Sequence, residues 1–434
     1  MTEPPYQGAE RRRDEADPAA VRFVLMLGRA LHAHGHSAPR LEDILGATAD
    51  RLGLHGHQFF TTPTSIMASF GPIGRQRTHM LRVEPGDVSL GKLAELEHVS
   101  VEVAQGRLSA VDGADTITRI VAAPSPYGPA LTTLAFGVLS GAACEFLGGG
   151  VREILVATLL GLGLGLFALA AAAHRRLGRV FEPLAAFLVS GAAVGLAQLA
   201  GPLSVLIATL AGLIVLVPGL TLTTAMTELA TRHLASGTAR LSGAFITFLG
   251  IAFGVALGNR LGAAAFGAPP PLVDPAAMPA WAGLVALVVA PLCFVVVLRA
   301  EPRDTPWIVL AGVLGVQGGR LGAATLGVEL GTFAGAFVVA LASSAYERWR
   351  HRPAAVVLVP GILLLVPGSV GFRSLTSLLE RQAVAGIETA FSMILTAMAL
   401  VAGLLIAGVL APEPRIGEAA ERLSALGSRL KRRQ

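Results

Sequence analysis

Leu216-Val217-Pro218-Gly219 recurs as Leu365-Val366-Pro367-Gly368, 149 residues further along, and both copies sit in long apolar runs. The same offset brings Cys144 onto Cys293, Gly163 onto Gly312, Gly212 onto Gly361, Thr227 onto Thr376 and Gly254 onto Gly403. Single glycine matches mean little in a chain rich in Gly, Ala and Leu. The unbroken tetrapeptide and the paired cysteines mean more. A Pro-Gly pair removes a backbone donor and releases carbonyls. At membrane depth that is tolerable only inside protein or against a wet cavity. The pattern therefore reads as two copies of a membrane unit, each with one interrupted helix.

Working outward, the 434 residues are 53% hydrophobic and 15% charged, whereas a soluble domain carries about 25% charge. The charge is segregated: residues 1–128 hold 13 Lys/Arg and 15 Asp/Glu, and residues 129–410 hold 15 and 11. A helix needs about 20 apolar residues to cross the hydrocarbon core. Ten spans qualify: 130–148, 153–173, 183–200, 203–227, 241–262, 280–298, 306–322, 325–345, 354–369 and 387–410. Span four is broken at Pro218-Gly219, and span nine at Pro360-Gly361 and at Pro367-Gly368. They fall into register as five plus five. Because five is odd, the second unit enters from the opposite side, giving an inverted repeat.

The expected fold is an α-helical polytopic membrane protein. Ten transmembrane helices form two inverted five-helix repeats, preceded by a small α+β cytoplasmic domain. The divisions are a disordered lead (1–18), the α+β head (19–128), repeat one (129–270), repeat two (279–410) and a basic tail (411–434) ending Lys431-Arg432-Arg433. The head reads αα-βββ-αα, with Ser37 placed to cap its second helix. Ten of the arginines between spans fall in loops on the head's side and five on the other, which puts both termini in the cytoplasm. The N-terminal stretch lacks the apolar core of a cleavable signal. The net charge of +5 reads as loop charge rather than nucleic-acid affinity. The two cysteines lie in apolar runs, and the His cluster His32, His34, His36, His55 and His57 lacks HExxH or a Cys partner. No cofactor or metal is expected. Glycine stripes such as Gly161–Gly165 and Gly254-x-x-x-Gly258 read as helix-packing seams.

Residues of the head resemble the threonine/serine exporter family. They are Leu27-Gly28-Arg29-Ala30-Leu31, Thr61-Thr62-Pro63-Thr64-Ser65-Ile66 with Ser69-Phe70, Arg82-Val83, and Leu90-Gly91-Lys92-Leu93-Ala94-Glu95-Leu96. The Val217-Pro218-Gly219 and Val366-Pro367-Gly368 breaks resemble that family's proline-glycine segments, and the likeness runs over about residues 20–410. The resemblance implies a bacterial cytoplasmic-membrane exporter of small polar amino acids, in the fused two-half form, coupled to the proton motive force. Its partners would be threonine, serine, protons and the bilayer. Homo-oligomerisation is left open. Some relatives implicate dicarboxylates, so a succinate-like substrate is the alternative.

Under that implication the substrate seat falls on Pro218, Gly219, Thr221, Thr223, Thr224 and Glu228, with Pro367, Gly368 and Ser369 from the second break. Amides at the start of a half-helix suit a carboxylate, and Thr hydroxyls suit a hydroxyl. The plainer reading is a kink whose Thr hydroxyls bond back to the preceding turn. Proton-coupling candidates are Glu145, Glu228, Glu329 and Glu388, since a carboxylate at membrane depth usually marks a path. The competing reading has them snorkel at the interface. Arg320 is the one obvious cation for a second carboxylate. A different class of reading makes the head a membrane-anchored regulatory or hydrolytic domain using Ser65, Ser69, His79 and Asp87. The absence of G-x-S-x-G speaks against it, the lack of a Walker A motif speaks against ATP-driven transport by this chain alone, and the chain reads as no enzyme.

Overall fold

The computed structural model describes residues 17–268, 275, 278–379 and 383–411, with Arg175, Leu326, Val328, Glu329, Arg373 and residues 375–379 described by backbone alone. The lead before Asp17, Arg381, the tail from 412 and the side chain of Glu329 thus lie outside the described residues.

The head comprises α1 (Pro18–Ala33), α2 (Ala38–Arg51), β1 (Gln58–Thr62), β2 (Ser65–Phe70), β3 (Arg77–Arg82), α3 (Leu90–Ala104) and α4 (Ala110–Ala122). Asp17 caps α1 by accepting from the Ala19 amide at 2.9 Å, and Gly35, at φ 109°, turns the chain toward α2. The strands form one antiparallel sheet in the order β1-β2-β3. Alternation in β2 sends Ile66, Ala68 and Phe70 inward, where they meet Phe23, Leu27, Leu31 and Ile44. This core continues without a gap into Leu139, Ala290, Phe294 and Ile308 of the apolar helices below. The head is therefore seated on the body rather than tethered to it.

The body contains α5 (Pro129–Phe146), α6 (Val151–Ala173), the short α7 (Arg175–Gly178), α8 (Phe181–Ala200), α9 (Val205–Gly212), α10 (Gly219–Ala230) and α11 (Leu234–Phe266). Then come α12 (Ala280–Val297), α13 (Thr305–Leu326), α14 (Val328–Arg350), α15 (Ala355–Leu363), α16 (Gly368–Leu379) and α17 (Ala383–Leu410). Among the described residues eight helices are long and apolar enough to cross a membrane, which makes this a multi-pass membrane protein. The expected fourth and ninth spans are instead two pairs of short helices, α9 with α10 and α15 with α16. Counted at an offset of 149, α5 falls on α12, α6 on α13, α8 on α14, α9 on α15, α10 on α16 and α11 on α17.

Two expectations change. Pro360-Gly361 is no break: Pro360 lies inside α15, where losing one amide removes one intrahelical bond and leaves the rest of the turn intact. Span nine does not end at 369, because α16 continues to Leu379. Its Arg373, Ser374, Thr376 and Ser377 made it too polar to be read as buried helix. The glycine seams are where they were expected. A Cβ on Gly258 of α11 would collide with Ser190 and Phe187 of α8, and the Ser190 hydroxyl donates to the Val255 carbonyl across that seam at 3.2 Å. Gly161 and Gly165 of α6 lie against Ser140 and Thr133 of α5. Such close approach gives helices in lipid the contact that a hydrophobic drive cannot supply there.

Candidate functional site

At the first break Pro218 (φ −77°, ψ 47°) sits in a tight turn in which the Gly219 amide donates to the Val217 carbonyl at 2.7 Å. That geometry is close to an inverse γ-turn. The α10 helix starts at once, so the Leu220 and Thr221 amides have no preceding helical carbonyl to bond. At the second break Pro367 and Gly368 are buried and Ser369 is half-buried. The Gly371 amide donates to the Pro367 carbonyl at 3.1 Å, which opens α16.

The two breaks touch, and they touch reciprocally. A Cβ on Gly219 would lie 2.5 Å from Val366 Cγ1, and one on Gly368 would lie 2.6 Å from Val217 Cγ1. Each glycine makes room for the valine that precedes the other break. The surrounding packing has the same exchange character: α5 lies against α12, α10 against α16, and α10 meets α17 as α11 meets α16. Two helix N-termini, each with a positive dipole end, are thereby brought to one point, a setting that favours an anion.

The threonines divide. Thr223 is buried and donates to the Gly219 carbonyl at 3.1 Å, and Thr227 donates to the Thr223 carbonyl at 2.9 Å. These hydroxyls are spent within their own helix. Thr221 and Thr224 are half-buried.

Glu228 lies at the far end of α10, fully buried, and all its partners come from the joint with the head. It accepts from the Ala38 amide at 3.0 Å, from Ser236 Oγ at 2.9 Å, and from Arg240 Nε and Nη2 at 3.1 and 3.0 Å. The carboxylate thus caps head helix α2 while gripping the start of α11. Glu145 is half-buried late in α5, where a Cβ on Gly283 of α12 would come within 3.2 Å of its Oε1. Glu388 and Arg320 are exposed. The structure does not gather these groups at the breaks.

Sequence reading missed the polar partners of the joint. His36 Nε2 lies 2.9 Å from Glu97 Oε1, and Arg40 reaches Glu97 at 3.1 Å and Glu347 of α14 at 3.5 Å. Burial opposes the Glu97 charge, yet Arg40 and His36 together hold the carboxyl below its usual range. His32, whose Nε2 is 3.1 Å from the Pro63 carbonyl, is pushed down by burial, and nearby Arg240 adds to the shift. The Leu90 and Gly91 amides bond to the Leu298 and Arg299 carbonyls at 2.9 and 3.1 Å, Tyr127 donates to the Ala300 carbonyl at 2.7 Å, and Arg299 pairs with Asp87 at 2.7 Å. At the other end of the body, buried Glu153 accepts from the Gly150 and Ser204 amides at 3.0 and 2.9 Å, tying the start of α6 to the start of α9. Its spacing from Gly150 is the one signal that could have found it.

Among the described residues no group of His, Cys, Asp and Glu is placed to hold a metal ion. Of the residues in the hydrolytic reading, Ser65 pairs with Thr62, Ser69 with Thr78 and Asp87 with Arg299, and His79 lies opposite Ala68 in the sheet.

Two family models match the chain. The threonine/serine exporter family model ThrE matches residues 22–262, and a second threonine/serine exporter model matches residues 283–410. A pheromone-regulated membrane protein 10 from Candida albicans is 27% identical over 397 residues, covering 85% of this chain and 34% of that protein. One from Eremothecium gossypii is 26% identical, covering 81% and 48%, and an uncharacterized protein of Schizosaccharomyces pombe is 23% identical, covering 85% and 45%. The chain thus spans less than half the length of these yeast relatives. No solved structure matches it. With one family model covering more than half of its length and a second covering most of the remainder, the chain belongs to the threonine/serine exporter family.

Proposed function

We propose that this chain is a secondary transporter that exports threonine- and serine-like amino acids through a site at the paired breaks, by alternating access and proton antiport. The observation that carries the reading is the reciprocal seating of Val217 on Gly368 and Val366 on Gly219. It is what a two-fold axis through the breaks would produce. Counting α9–α10 and α15–α16 as one crossing each gives ten crossings, five per repeat, with the repeats inverted. Paired interrupted helices are the usual pointer to a transporter's site.

In this reading the converging ends of α10 and α16 hold the substrate carboxylate, with Pro218, Gly219, Pro367 and Gly368 shaping the seat. Thr221, Thr224 and Ser369 supply hydroxyls, while Thr223 supports the turn from within. Glu228 acts as a latch between head and body rather than as a ligand, which leaves Glu145, Glu329 and Glu388 as proton carriers. The head bonds to segments around 228–240, 298–304 and 347–352, which carry seven of the fifteen basic residues between 129 and 410. This supports a cytoplasmic head in a cytoplasmic membrane. A dicarboxylate such as succinate is the second reading, favoured by the meeting of two amide-bearing ends where one would serve a single carboxylate.

Reconstituted protein tests the proposal. Threonine and serine should leave loaded vesicles faster when an inward proton gradient is imposed, and Glu145→Gln should blunt that response. Efflux indifferent to the gradient would remove proton coupling, and efflux of succinate alone would transfer the site to the second reading. Accessibility labelling that put positions 232 and 381 on one face would undo the inversion.

A further inference from the structure

Each half-helix that runs into a break is tied at its start to the start of an earlier helix in the same repeat, and the two ties differ in chemistry. In the first repeat Glu153 of α6 takes the Gly150 amide on Oε2 at 3.0 Å and the Ser204 amide on Oε1 at 2.9 Å, just ahead of α9. The residue 149 positions after Ser204 is Pro353, which has no amide to give. The second repeat uses the neighbouring Arg352 instead, whose guanidinium reaches Glu301 at 2.7 Å and Asp304 at 3.1 Å at the start of α13. Burial opposes the charge on Glu301, yet Arg352 and Arg303 hold its carboxyl below the usual carboxylate range. The second tie is thus a charge pair that neutral or mildly acidic water leaves intact.

The first tie holds its charge differently. Glu153 is 4% exposed. Among the described residues its bonds are to these two amides alone, since Arg152 beside it reaches away to the Pro202 carbonyl at 3.3 Å. From α5, Cys144 comes up against it across Gly149, where a Cβ would meet both Cys144 Sγ and Glu153 Cβ. Half-buried Glu145 adjoins that cysteine, and both carboxylates lie within electrostatic reach of its thiol. Neither α8, α9 nor the 201–204 connection brings a titratable side chain to this end. Each oxygen of Glu153 serves one amide. A proton on either oxygen sets an O–H against an N–H, so one of the two bonds is lost. Losing the Ser204 bond lets α9 part from α6, and α9 leads to Val217-Pro218-Gly219.

We propose that Glu153 is a positioning residue for transport, protonated from the face opposite the head by way of Glu145, and that its proton releases the Ser204 amide and frees α9 while Arg352 keeps α15 in place. This rests on the proton-antiport reading above and names the residue on which an inward proton gradient acts. It gives Glu153 no contact with the substrate.

Wild type, Glu153→Gln and Ser204→Pro are reconstituted, and each is assayed for threonine exchange at equal pH and for threonine efflux under an inward proton gradient. Gln holds one amide and opposes the other, as the protonated acid does. Pro suits the φ of −77° at position 204 and removes the amide that Glu153 holds. Both variants should exchange threonine and lose the stimulation by the gradient. A carboxylate that merely capped α6 would, when replaced, slow both rates together and leave their ratio as in wild type. That ratio, or full stimulation in Glu153→Gln, would overturn the inference and leave antiport standing. Wild-type efflux indifferent to the gradient would instead overturn antiport. A measurement free of transport tests the tie in either case. Hydrogen exchange of the full-length protein in detergent, corrected for the intrinsic rate, should show the Ser204 amide losing protection on acidification, with the first turn of α15 unchanged. In Glu153→Gln the protection should not depend on pH. Ser204 protection independent of pH in wild type would overturn the inference even where neither variant folds.

Discussion

The half-helices α10 and α16 are each 12 residues long and start from the same point of contact, yet the chain treats their far ends differently. In the first, Glu228 is locked to Ser236, Arg240 and the amide of Ala38. In the second, the positions 149 residues on are Ser377, Ala385 and Thr389. Near-equal backbones thus carry unequal ends: one half-helix is fastened to the head, and the other has no charged counterpart in the same register. An alternating-access machine built from two such halves would have its head-side gate under control of the head and its far-side gate free of it.

Removing the latch is the sharpest way to break this comparison. Glu228→Ala strands Arg240 and opens the N-terminus of α2, and losing one partner of a buried pair costs on the order of 3–5 kcal/mol. Thermal unfolding in detergent should fall accordingly, and amide exchange should rise at residues 38–41. Thr389→Ala, at the register of Arg240 and exposing only a hydroxyl bonded to the Ala385 carbonyl, should stay within about 0.5 kcal/mol. Equal effects would mean that the asymmetry lies elsewhere.

The breaks themselves should behave alike. Gly219→Ala would drive a methyl against Val366, and Gly368→Ala would drive one against Val217. Overpacking costs about 1–3 kcal/mol, and each variant should lose transport. Val366→Ala should restore the first and Val217→Ala the second, and the crossed combinations should not. A double-mutant cycle on efflux and unfolding checks this, and rescue by the wrong valine would dissolve the axis drawn through the breaks.

Much of this was legible in the sequence because it is periodic or local. Apolar length gave ten spans, eight of which are long helices, and the recurring Val-Pro-Gly gave both interruptions, while the third expected break at Pro360-Gly361 is continuous helix. Ser109 caps α4 as a local reading would have it, accepting from the Asp112 amide at 3.1 Å. Ser37 shows the limit. It occupies the cap position of α2 without a side-chain hydrogen bond, and the oxygen that meets the Ala38 amide belongs to Glu228. Spacing rules see one turn ahead, not across a joint between domains. The same reason hid Glu97, whose partners are Arg40 on α2 and His36 in the turn before it. Likewise α16 was hidden because its polar face reads as loop unless its neighbours are known.

Acid should separate the fastened half from the other. Burial lowers the His32 pKa in the fold, so the unfolded head takes up a proton more readily. The stability this contributes is complete above the unfolded value near 6.5 and is lost as pH falls toward the folded value. Glu97 is depressed from 4.5, so its contribution goes only below that. Exchange in the head should therefore rise in two stages, the first below pH 6.5 and the second below pH 4.5, while α17 stays protected. His32→Asn should shrink the first stage alone.

The smallest effect belongs to the seam between α8 and α11. Ser190 gives its proton to the Val255 carbonyl there, and its counterpart 149 residues on is Val339, fully buried beside Gly361. The first half has a hydroxyl at this position, and the second has branched methyls that pack on Gly315 and Gly361 instead. Ser190→Ala removes the hydroxyl without adding bulk where Gly258 leaves no room. An interhelical hydrogen bond in lipid is worth about 0.6 kcal/mol, so unfolding should shift by about that much and efflux should not change. A cost matching that of Glu228→Ala would mean that the first half depends on its polar seam as a whole. The difference between the halves would then be one of scaffold rather than of a single carboxylate.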